Sequence, residues 1–337
     1  MTALRISKKI VHLIAYILLL IPGIYFIGMR GEDIGSDTHV YFKYFDFVKY
    51  GESFIGAERI EIGFYGLTKL ISNFTDSKNV YLSIIFLIQF IGISSAIFKK
   101  NDTFKPYFFI ALIWLSCPFF YSFTLNVLRQ GLAFVFVVYA IDAKLQNKKF
   151  SPYILLSLGT LFHYATVLYI FCFLISELKQ KTVVFIWAWL LAVLLAFSGW
   201  AERIFQWILV LIVGNNPYYA TYLDSSFDAD YSVGFKIEFV IFSILPIAYY
   251  FLLKKYSYEN VTSFSFVFSI YLIMNIVYLC FASIPYSDRF ALASWVLIPL
   301  MINFNFLKKV GLLNLFKVSI TFSSIFVFSY YLFFLQN

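Results

Sequence analysis

The chain has 337 residues, of which 61% are hydrophobic and only 13% charged, with a mean hydropathy of +0.82. Soluble domains are usually about half apolar and a quarter charged, so this composition excludes one and indicates a helical, polytopic membrane protein whose backbone is satisfied internally. The apolar runs are continuous, which argues against a β-barrel, and the +8 net charge lies on lysines of short loops, not on a nucleic-acid-binding patch.

In chain order, spans of about 20 residues are predicted near 10–29, 79–98, 106–124, 129–143, 182–198, 236–253, 261–283, 290–306 and 318–334. The first is read as a retained span, because its apolar run is too long for a signal-peptide core and no small-residue cleavage site follows. The segment 152–176, "PYILLSLGTLFHYATVLYIFCFLIS", is either one span or a short hairpin turning near His163. With the hairpin, the fold class is an all-α polytopic membrane protein of about eleven transmembrane helices forming a single domain, 1–337. Two long segments, 30–78 and 199–235, interrupt the spans. Cys117, Cys172 and Cys280 all fall in apolar runs without metal or redox spacing, so buried thiols are expected.

The distribution of positive charge sets the orientation. With a turn at His163 and the N-terminus in the cytoplasm, 16 of the 26 basic residues face the cytoplasm and 10 face out. A single span there would give 12 inside and 14 outside, so the hairpin is preferred. Its first limb, 152–162, would be only about 16 Å long, which places His163 at a turn below the outer surface. Five of the six arginines (Arg30, Arg59, Arg129, Arg203 and Arg289) and 14 of the 18 acids then lie outside. Lysine suffices for topology, whereas arginine binds phosphate bidentately. The outer face is therefore the expected working face, and an anionic ligand is expected there.

Within 30–78, Ser36 or Asp37 can cap a helix over "THVYFKYFDFVKY". Asp37, Tyr41 and Phe45 would share one of its faces. That helix either lies in the headgroup layer or sets Asp37 and Tyr41 over a cavity, while Glu32 and Asp33 read as solvated loop. The stretch 58–72 is too short and too charged to span and reads as an interfacial or re-entrant helix. Glu61 before it either caps the helix or enters a site. Asp224, Asp228 and Asp230 in the second segment include a D-x-D pair, weak by itself as a metal motif. Arg129 and Arg289 each open a span, where an arginine can also snorkel to headgroups. His163, an ionisable group at membrane depth, is either a structural hydrogen-bonding residue or a site residue. There is no glycine-rich phosphate loop, H-E-x-x-H or G-x-S-x-G.

Five short motifs in order carry a resemblance: Asp37 and Tyr41 in "SDTHVY", Glu61 in "EIGFYGL", Arg129 in "RQGLA", His163 in "LFHYATVLY", and a late arginine, Arg289, at an outer span end. Together they resemble the EpsG/Wzy-type family of bacterial polysaccharide (O-antigen or exopolysaccharide) polymerases, over nearly the whole chain. "HYAT" departs slightly from the commoner H-x-S-A form. The resemblance implies a GT-C-like glycosyltransferase of the bacterial inner membrane, without cofactor or metal, active at the periplasmic face. It would join repeat units carried on undecaprenyl diphosphate, with glycan donor and acceptor, membrane lipid and a chain-length regulator protein as partners. On that view Arg129 and Arg289, with Arg59 or Arg203, neutralise the donor diphosphate. Asp37 or His163 takes the acceptor proton, Tyr41 stacks on sugar, and Glu61 contributes to substrate binding. The rival expectations are a lipid-linked oligosaccharide flippase, a GT-C transferase with a lipid-monophosphate donor, and a membrane O-acetyltransferase.

Overall fold

The computed structural model describes residues 16–18, 20–98, 114, 117–178, 181–213, 234–255, 261–284 and 286–305. Every regular element among them is helical. The chain divides into two compact units, Met1–Ile170 with Phe306–Phe328 and Phe171–Asn305 with Ser329–Asn337. The first contains α1 (Tyr16–Gly28, ending in a π-helical turn), α2 (Thr38–Tyr50), α3 (Ile62–Ser72), α4 (Lys78–Phe98), α5 (Pro118–Leu125), α6 (Leu128–Leu145) and α7 (Ser151–Thr160). After a break at 161–163 and a 3-10 turn, Tyr164–Thr166, comes α8 (Val167–Ser176). Then follow α9 (Thr182–Phe197), α10 (Trp200–Val213), α11 (Ile237–Lys255), α12 (Val261–Cys280), α13 (Asp288–Trp295) and α14 (Ile298–Asn305).

Among the described residues, two helices, over Lys78–Ala96 and Ile237–Lys254, are long and apolar enough to cross a bilayer, and a third span exists if α9 and the start of α10 count as one bent pair. These are spans of the described residues alone and do not test the eleven expected from hydropathy. The expected span 318–334 and most of 106–124 lie outside the described residues. The stretch 290–306 is divided because Pro299 has no N–H and its ring collides with the carbonyl of Trp295, so α13 stops there and α14 starts with the proline in its first turn. The break at His163 is present, with ten-residue helices on either side. A helix follows Gly199 where an outer loop is predicted. Gly199, at φ +75°, turns the chain by 92° between α9 and α10.

The first unit is held by an aromatic core between α2, α3, α4 and α6. Phe45 and Tyr81 pack at 5.0 Å and Tyr44 stacks on Phe64 at 5.4 Å, with Leu128 and Leu132 beside them. The "THVYFKYFDFVKY" helix forms over Thr38–Tyr50, with its apolar face buried in this core and Gly51 in the left-handed conformation closing it. Phe45 is therefore core, unavailable to sugar or lipid. Lys49 donates to the carbonyls of Ser72 and Thr75 and pairs with Asp76, which ties α2 to the end of α3.

In the second unit α12 packs against α9, α10, α11, α13 and α14. Asn275, fully buried in it, accepts from Trp189 Nε1 at 2.7 Å and donates to the hydroxyls of Ser243 and Ser294. Trp295 Nε1 donates to the same Ser243 oxygen. A buried polar network of this kind is stable only when its members are satisfied. Cys117 and Cys172 are buried as expected; Cys280, at the end of α12, is exposed, a correction to the expectation of three buried thiols.

Candidate active site

The segment after α1 wraps the turn between α5 and α6. Arg30 is buried and donates to Thr38 Oγ1 (2.9 Å) and to the carbonyls of Ile27 (2.7 Å), Thr124 (3.1 Å) and Leu125 (3.1 Å). It thereby satisfies carbonyls at the C-terminal end of α5, which a helix otherwise leaves unpaired. Burial lowers its pKa to about 10. Arg30 is therefore structural. The Ser36 N–H donates to Asn126 Oδ1 at 3.0 Å, and the Tyr41 hydroxyl donates to the Asn126 carbonyl while accepting the Leu128 N–H. Tyr41 is thus buried and spent on the turn that presents Arg129, the second residue of α6.

Asp37 occupies the N-cap position of α2, but its side chain makes no capping bond; its Oδ1 accepts from Ser36 Oγ at 2.9 Å. It is half-buried. Glu32 and Asp33 are exposed, in keeping with solvated loop.

Glu61 precedes α3 and likewise makes no capping bond. Its carboxylate is buried and meets three polar groups from two distant segments. Arg129 Nη1 donates to Oε2 at 2.7 Å, His163 Nδ1 lies 3.1 Å from Oε1, and the Tyr164 N–H donates to Oε1 at 3.2 Å. The partners lie 68 and 102 residues away in sequence. Burial alone would push this carboxyl up, but the His163 hydrogen bond and the Arg129 charge outweigh it and hold the group down at about 2. Glu61 is accordingly ionised at neutral pH.

Two glycines make this convergence possible. The Gly63 N–H donates to the Leu161 carbonyl at 2.8 Å, and a Cβ on Gly63 would sit 2.6 Å from that same backbone oxygen. The first turn of α3 can therefore rest on the 161–163 break only if residue 63 has no side chain. Gly131, one turn into α6, is equally confined: a Cβ there would lie 2.6 Å from Gln89 Nε2, which donates to the Leu128 carbonyl at 3.0 Å. Sequence reasoning missed Gly63, Gly131, Gln89 and Asn126. The first two stand inside the "EIGFYGL" and "RQGLA" motifs, which was the available signal.

Among the remaining candidates, Arg59 is exposed and its carbonyl accepts from Arg129 Nη1 at 3.4 Å, which sets it beside the Glu61 cluster. Arg203 and Arg289 belong to the second unit. Arg203 is exposed on α10, 5.4 Å over the Trp200 ring. Arg289 is half-buried in the first turn of α13, 4.7 Å over the ring of Tyr286, which is itself in the left-handed region at φ +64°. Both contacts are of cation–π type. Beside Arg289, the Asp288 carboxyl is pushed up by burial. Asp224, Asp228 and Asp230 lie outside the described residues.

The trio of a buried carboxylate, an arginine and a histidine can bind an anion and move one proton. No curated protein and no solved structure matches the chain. The sequence model of the EpsG family matches residues 13–336, almost the whole length, and the chain belongs to the EpsG family.

Proposed function

We propose that this protein, a polysaccharide-polymerase-type glycosyltransferase by its family, joins undecaprenyl-diphosphate-linked oligosaccharide repeat units at the periplasmic face of the bacterial inner membrane, without a metal. The observation that carries the reading is the meeting of Glu61, Arg129 and His163, from three separated motifs, at one buried carboxylate.

Arg129 stands at the start of α6, where the helix dipole favours an anion. Its planar fork suits a diphosphate, and neutralising the charge that develops on the leaving diphosphate lowers the barrier. Arg59, whose backbone carbonyl accepts from Arg129 Nη1, and Arg289 and Arg203 are further donor ligands in this reading. An acceptor sugar hydroxyl attacks the donor anomeric carbon. The bond from that carbon to the diphosphate oxygen breaks and its electron pair leaves with the phosphate, while the hydroxyl proton passes to His163. His163 is favoured over Asp37 as the base because it is held in the same cluster as Arg129.

The test is complementation of a deletion strain. Wild type restores a full polymer ladder; Arg129→Ala and His163→Ala leave lipid-linked or core-linked single repeat units. Full-length polymer from Arg129→Ala or Arg289→Ala overturns the diphosphate role of that arginine. A deletion strain with no exported repeat unit at all indicates a flippase, and a normal ladder an acetyltransferase.

A further inference from the structure

The Glu61 carboxylate has a consequence for the chemistry of His163 that goes beyond bringing it near Arg129. An ionised carboxylate only accepts hydrogen bonds. The nitrogen facing Oε1, Nδ1, must therefore carry the hydrogen, and in a neutral imidazole Nε2 is then the acceptor. The Tyr164 N–H grips the same Oε1, so the oxygen is fixed from the backbone as well as by the ring. The backbone that carries the ring is fixed too: the His163 main-chain N–H donates to the Gly159 carbonyl at 3.1 Å, and its main-chain carbonyl accepts the Thr166 N–H at 3.0 Å. About a quarter of the His163 side chain remains exposed, against 3% of that of Glu61. A group arriving from outside therefore meets the histidine and not the carboxylate.

We infer that Glu61 is a positioning residue that sets His163 in the Nδ1–H tautomer, with the Nε2 lone pair open to the acceptor hydroxyl, and that it does not itself bind substrate. Arg129, whose Nη1 holds Oε2, keeps Glu61 anionic and so takes part in the same arrangement. The other ionisable groups facing the cluster are the Tyr41 phenol, which lies against Arg129, the Tyr44 and Tyr65 phenols, and Arg59. Tyr44 is buried against Phe64, and its hydroxyl has no hydrogen-bond partner among the described residues. During transfer the proton leaves the acceptor oxygen for Nε2 as the new C–O bond forms, and the resulting imidazolium is stabilised through Nδ1–H by Glu61. The proposal rests on the reading of His163 as base in glycosyl transfer.

Two measurements test it. The first needs no change at Glu61: nitrogen-15 NMR of histidine-labelled full-length protein in detergent. There are three histidines, and His163→Asn assigns the signal. The proton is expected on Nδ1; a proton on Nε2 overturns the proposal whatever the activity. The second is turnover of lipid-linked repeat units extracted from the deletion strain, by Glu61→Gln, His163→Ala and the double variant. Each single change is expected to slow transfer by about 10²–10⁴-fold, and the double variant is expected to be no slower than His163→Ala. Losses that multiply in the double variant, or full activity of Glu61→Gln, overturn it. If Glu61→Gln does not accumulate as folded protein, the wild-type tautomer decides. Full activity of His163→Ala would refute the function reading itself, and the tautomer result would stand independently of that.

Discussion

At the scale of single residues, the site is organised by what a buried carboxylate requires. Removing such a charge from water is costly unless it is paired and hydrogen-bonded, so Glu61 gathers Arg129, His163 and the Tyr164 amide. Its carboxyl falls from the ordinary 4.5 to about 2 in the folded state. A depressed acid contributes stability that is complete above the unfolded value and lost as pH falls through the folded one. Acid titration of the detergent-purified protein is therefore expected to show a component lost between pH 4.5 and about 2, which Glu61→Gln flattens. Gly63→Ala is expected to fold but to transfer poorly, because the new methyl must push α3 off the Leu161 carbonyl. A displacement of about 1 Å costs on the order of 10²-fold in rate, measurable as shortened polymer at normal protein level. Tyr41→Phe strips the hydroxyl from the Asn126–Leu128 turn and leaves a buried N–H without its partner. It is expected to lower stability by about 1–3 kcal/mol, read from thermal unfolding in detergent. Asp37, Tyr41, Glu61, Arg129 and His163 were all legible as candidates in the sequence. Their ranking was not, because Asp37 and Glu61 both stand before an amphipathic helix, and only burial separates them.

At the scale of elements, hydrophobic periodicity placed α2 over the stretch from Thr38 to Tyr50 and the short helix after Glu61, since one face of each had to be apolar. Proline and glycine decided what periodicity could not. Pro299 divides α13 from α14 within one apolar run, and Gly199 turns α9 into α10. A hydropathy window averages over both. The second unit depends on a polar cluster in the middle of α12, where Asn275 satisfies Trp189, Ser243 and Ser294 at once. Asn275→Leu is expected to lower the yield of folded protein and its thermal stability, because three buried polar partners lose their bonds together. Its effect on polymer should track protein level, unlike that of His163→Ala, which should slow transfer by about 10²–10⁴-fold at normal level.

At the scale of the whole molecule, orientation follows from charge. The reading with lysines inside and arginines outside predicts that a cysteine at exposed position 52, in a Cys280→Ser background, reacts with a membrane-impermeant thiol reagent in intact cells. A cysteine at exposed position 148 should react only after permeabilisation. The opposite pattern would reverse the working face. Composition and apolar run length by themselves determined that this is a helical membrane protein, and the order of short motifs determined its family, because both are properties of the chain read along its length. Only the tertiary structure decided that the acid at the centre is Glu61, that Arg30 and Tyr41 hold the turn before Arg129, and that Gly63 and Gly131 admit the close approaches. The longest of those contacts joins residues 103 positions apart. No local pattern encodes them, and the need to pair a buried charge selects them only once the helices have packed.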